Sequence, residues 1–133
     1  MRSWAVVVFA VVVGLFIRVP LLAHHGSAAF DVGKVVVLDG TVTEWIFSNP
    51  HCLLRIEVTD ANGEKVVWIA EAQAPNVIFP AGYRKNSFTF GDHVKVTVEP
   101  AKENRRMGRI LETVLADGTI LGRASAAGAI QQP

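Results

Sequence analysis

The strongest pattern along the chain is strict alternation. From His51 to Val58, the apolar residues Cys52, Leu54, Ile56 and Val58 fall on one face, and His51, Arg55 and Glu57 fall on the other. A period of two marks a half-buried strand. His93 to Glu99 repeats it, with Val94, Val96 and Val98 inward, and Lys65 to Glu71 forms another such run around Val66, Trp68 and Ala70. Lys34 to Phe47 is a long β-prone stretch with Gly40 in its middle, where a strand is expected to bend or bulge. Asp60–Ala61–Asn62–Gly63 and Ala116–Asp117–Gly118 are turn signals, the second flanked by Arg109–Leu115 and Thr119–Leu121. Between Glu71 and Gly91 the alternation stops. Pro75, Pro80 and Gly82 punctuate this connector, and Asn76 to Phe79 can make one helical turn. The order predicts an all-β fold: a small five-stranded OB-like barrel with a short connector or helical turn between strands 3 and 4. An open sandwich of the same strands is the alternative.

Residues 1–23 do not belong to that pattern. Arg2 precedes an unbroken apolar run, Trp4 to Ile17, which is short of the roughly 20 residues that a spanning helix needs. Arg18, Pro20 and the small Ala23 follow, so 1–23 reads as a signal peptide. A cut after Ala29 and an uncleaved anchor are the competing readings. The barrel domain is then 24–123, and 124–133 is a small-residue tail expected to be flexible. Export implies a periplasmic or secreted location.

The chain has 133 residues, 50% of them hydrophobic, which excludes a disordered polymer and favours one domain. Thirteen basic residues face 12 acidic ones, and removing the leader takes away Arg2 and Arg18. That balance argues against nucleic acid as a partner and allows membrane attachment only through an uncleaved leader. The basic loop Lys102, Arg105, Arg106 and Arg109 reads as solvated. The single cysteine, Cys52, excludes an internal disulfide and falls on an apolar face.

Candidate chemistry rests on four histidines: His24, His25, His51 and His93. After cleavage at Ala23, the α-amine of His24 lies beside its own imidazole, and the two can chelate one metal ion. His25 adds another nitrogen, and His51 or His93 can complete the set. Such nitrogen-rich sites suit copper best. The alternative is a pair of histidines in a mobile terminus that binds metals only adventitiously. Asn49–Pro50 is a turn that places His51 on the barrel rim, where OB-type barrels often bind ligands. Trp45 and Phe47 share a face and can form an aromatic wall for a ligand or pack into the core. Glu71 is a candidate partner for a histidine, or else a surface carboxylate. No serine lies in a nucleophile-elbow context, and the glycines form no phosphate-cradling loop.

His24–His25–Gly26–Ser27 with Phe30–Asp31, then Gly40–Thr41–Val42–Thr43–Glu44–Trp45, then Asn49–Pro50–His51 resemble an uncharacterised family of small exported bacterial proteins. Gly63, Trp68, Glu71, Gly82, Gly91–Asp92 and Asp117–Gly118 follow in the order of that pattern. The resemblance implies a signal peptide cut just before His24, a small β-barrel and no established activity. The expectation is an exported, non-enzymatic barrel that binds a ligand, with copper or another transition metal held by His24, His25 and His51. A structural protein that docks another envelope protein without metal is the alternative, and an oxidase using the same ligands a third reading.

Overall fold

The computed structural model describes residues 27–103 and 105–122. The leader 1–23 and the tail 124–133 lie outside the described residues. The strands are β1 (Val36–Ile46), β2 (Cys52–Thr59), β3 (Lys65–Ala72), β4 (His93–Pro100), β5 (Met107–Leu115) and the two-residue β6 (Ile120–Leu121). A single helical turn, α1 (Pro75–Ile78), runs into a 3-10 turn at Phe79–Ala81 between β3 and β4. β1 pairs antiparallel with both β2 and β4, β2 with β3, and β4 with β5. A parallel pairing of β3 with β5 closes the ring. The result is a closed five-stranded mixed barrel of the expected OB-like kind rather than an open sandwich, with β6 as an extra hairpin strand on β5.

The alternation read from the sequence is the inside and outside of this barrel. Cys52, Leu54, Ile56 and Val58 are buried, as are Val94, Val96 and Val98. Each such aliphatic side chain contributes about 1.5–3 kcal/mol by leaving water. Gly40 is paired on both sides, with Val58 and with Val94. A Cβ there would lie 2.3 Å from the carbonyl oxygen of Glu57, so β1 curls at the residue that lacks one. A bulge between Val42 and Glu44 adds to the curl. The expected turn at Asp60 is built by its Oδ1, which accepts from the N–H groups of Asn62 and Glu64. Gly63 completes it with a positive φ of 82°.

The helical turn begins at Pro75, where a missing N–H leaves no bond unmade. The connector then delivers Tyr83 into the core, 2% exposed, with its hydroxyl 3.1 Å from Thr113 Oγ1. Burial pushes its pKa up to about 12, against a smaller opposing effect of the Thr113 hydrogen bond. Among the described residues no helix is long and apolar enough to cross a membrane.

Candidate functional site

His51 stands just before β2, after a cis Asn49–Pro50 bond. The β2–β3 register pairs Cys52 with Ala72 and Leu53 with Glu71. His51 and Glu71 are therefore diagonal neighbours on the outer face, a separation that long side chains span. His51 Nδ1 is bonded to Glu71 Oε1. A carboxylate can only accept, so Nδ1 carries the proton and, in the neutral ring, Nε2 keeps its lone pair. The Glu71 side chain is 16% exposed and that of His51 49% exposed. The carboxylate is thus held behind a half-open imidazole.

A strap formed by the residues before β1 lies next to this pair. Phe30 is buried and bridges to Ala101. Asp31 donates its N–H to Pro100 O at 2.9 Å, and Lys102 donates to Ala29 O at 3.0 Å. Glu99 ties the strap to the barrel: its carboxylate accepts from the N–H of Gly33 at 3.2 Å and from Arg109 Nε at 3.1 Å. The Arg109 guanidinium lies 5.6 Å from the centre of the Phe30 ring. Its hydrogen bond, with that of Gly33, holds the Glu99 carboxyl below the usual carboxylate range. Between strap and barrel is a cleft of about 330 Å³. Ala29, Phe30, Ala101, His51, Glu71, Arg105 and Met107 line it.

The predicted site residues separate. His51 lies in this cleft. His24 and His25 lie outside the described residues, upstream of the strap. His93 faces Thr41 across β1–β4, and its Nε2 is 2.9 Å from Asp39 Oδ1, so it does not line the cleft. Trp45 and Phe47 are half-buried against the core, 5.8 Å apart. Trp45 stacks edge-on against Phe88 at 4.9 Å and donates its Nε1–H to Arg84 O at 3.0 Å. These rings clamp the connector to β1 and take no part in lining the cleft. Cys52 adjoins His51 in sequence but points inward, and burial pushes its thiol pKa up. Among the described residues, no three His, Cys, Asp or Glu side chains gather as a metal site. The strap and Met107 escaped the sequence reading, and Arg105, read there only as part of a solvated basic loop, was not tied to His51. They lie outside the alternating runs, and only the three-dimensional closure of the barrel brings them to His51.

Comparison with known proteins adds the following. The model of a family of unknown function (DUF6152) matches residues 13–110. No curated protein matches. Among solved structures, the chain is similar to Rim1, a mitochondrial single-stranded DNA binding protein from S. cerevisiae. The two are 14% identical, the likeness covers 62% of this chain and 93% of that one, and the TM-score is 0.45. That finding corrects the expectation that charge balance excludes nucleic acid: a protein with a similar barrel is named for binding single-stranded DNA. Net charge describes a whole surface and does not report on one groove. The likeness itself is one of fold.

Proposed function

Since the chain belongs to the family of unknown function DUF6152, we propose, from its own residues, that it is an exported β-barrel module that binds a transition-metal ion, copper above all, at the cleft beside His51. One observation carries this reading. Glu71 accepts a hydrogen bond from Nδ1–H of His51 and leaves Nε2 as a lone-pair donor in a cleft that the strap lines. Histidines that bind metals usually have this backing: a carboxylate on the far nitrogen fixes the tautomer and raises the basicity of the ligating one. The described residues supply one nitrogen, and the remaining ligands come from the arm ahead of the strap. At most about 14–18 Å of chain separates His25 and His24 from Ala29. Cleavage before His24 frees an α-amine beside an imidazole, a chelating pair that favours Cu(II) among the common divalent ions. Arg105 puts a positive charge at the same cleft, but it is paired with Glu103 at 3.2 Å.

The test uses protein purified after export, its first residue read by intact mass. A chain starting at His24 should bind Cu(II) with micromolar or tighter affinity. One glycine added before His24, or His51→Ala, should each weaken binding roughly tenfold or more. A processed chain that starts elsewhere, or affinity indifferent to both changes, overturns the proposal.

A further inference from the structure

The cleft holds a second kind of donor. Met107 lines it together with His51, and it is the one methionine of the chain apart from Met1. Its placement follows from the parallel pairing that closes the barrel. Ile69 is registered with Met107, Ala70 with the buried Gly108, and Glu71 with Arg109. Glu71 and Met107 therefore share the outer face of neighbouring strands, on a diagonal, with His51 on the diagonal beyond Glu71. The backbone of Met107 is fixed by bonds to Arg105 O at 2.8 Å and from the Ala101 N–H at 2.8 Å. Its side chain is half-buried and ends at a thioether on three rotatable bonds, while the His51 ring is half-exposed. The thioether can turn toward an ion held at Nε2 of the His51 ring, whose Nδ1 is bonded to Glu71.

Resting on the copper reading above, we infer that this cleft binds Cu(I), with the Met107 thioether and the His51 Nε2 as its ligands. A thioether is a soft ligand that selects Cu(I) and gives little to Zn(II) or to harder divalent ions. The surroundings agree with a monovalent ion. Ala29, Phe30 and Ala101 contribute apolar surface, and the carboxylate of Glu71 is turned to the His51 ring. The chelating amine at His24 favours Cu(II), so one chain would hold copper in either oxidation state through different subsets of donors.

The probe is Ag(I), a redox-inert stand-in for Cu(I), added to exported protein carrying methyl-labelled methionine. Once the leader is removed, one methyl signal remains, that of Met107. It should shift in a saturable way that is complete at one equivalent. Met107→Leu should weaken Ag(I) and Cu(I) binding about tenfold or more, and Cu(II) binding by a clearly smaller factor. His51→Ala should weaken both oxidation states. A methyl signal that stays still at one equivalent, or Cu(I) affinity unchanged in Met107→Leu, overturns the inference. If Cu(II) binding still depends on His51 and the His24 amine, only the thioether is at fault. If wild-type protein binds neither Cu(II) nor Ag(I), both readings fall together.

Discussion

A carboxylate on one nitrogen of an imidazole ring acts on the other nitrogen. Glu71 holds the Nδ1 proton of His51, so the ring presents Nε2 in a fixed orientation and with more electron density. Glu71→Ala should therefore lower Cu(II) affinity roughly 10–100-fold although Glu71 touches no metal. Glu71→Gln keeps an acceptor for the Nδ1 proton but removes the charge, and its loss should be the smaller of the two. Calorimetric titration of the variants, with thermal unfolding alongside to verify the fold, checks the order. Equal affinity in wild type and Glu71→Ala would show that the pair is only an ion pair of the surface. The neighbouring Cys52 offers no substitute ligand. Its sulfur lies in the core with Ser48 O as hydrogen-bond partner, and burial keeps it in the thiol form.

Strand β1 carries the barrel's geometry, since it pairs with β2 along one edge and with β4 along the other. Its sharpest demand falls on Gly40. An added Cβ meets Glu57 O at 2.3 Å, Val58 Cγ1 at 2.8 Å and Ile56 Cγ2 at 2.9 Å. Two of these obstacles sit on β-branched side chains and the third is backbone of a paired strand, so none can swing away. Gly40→Ala should destabilise the barrel by about 1–3 kcal/mol or more, read as a lower urea midpoint with an unchanged slope. A midpoint unaltered by the change would mean that the curl is not enforced at this position. The bend at Gly40 was legible in the sequence, as were β2, β3 and β4, because each alternates cleanly and buries one face. The partnership of His51 with Glu71 was half legible: counting back from Thr59 opposite Lys65 brings Leu53 opposite Glu71. What alternation does not carry is the parallel β3–β5 contact, which joins strands far apart in sequence. That contact brings Met107 beside Glu71 and His51. Trp45 and Phe47 have the same limit, since their shared face was readable and the rings from the connector that cover it were not.

For the molecule as a whole, the strap links the barrel to the arm that bears His25 and His24, and Glu99 is its anchor. This carboxylate lies on the outer face of β4 yet is nearly inaccessible, under Gly33 and against Arg109. Both partners stabilise its ionised form, so the folded protein releases this proton at a lower pH than the unfolded chain does. Stability from the anchor is therefore complete above the ordinary carboxylate value, and it drains away as the pH falls through the lower folded value. Glu99→Gln retains the shape without the charge. The variant should unfold at lower urea than wild type at neutral pH, and the gap should narrow steadily in acid, where the wild-type carboxylate is itself neutralised. Urea midpoints for the two proteins across that range test the argument. A gap that stays constant from neutral to acid would mean that Glu99 holds the strap by shape alone. A narrowing gap would identify the Glu99 charge as what ties the strap to the barrel.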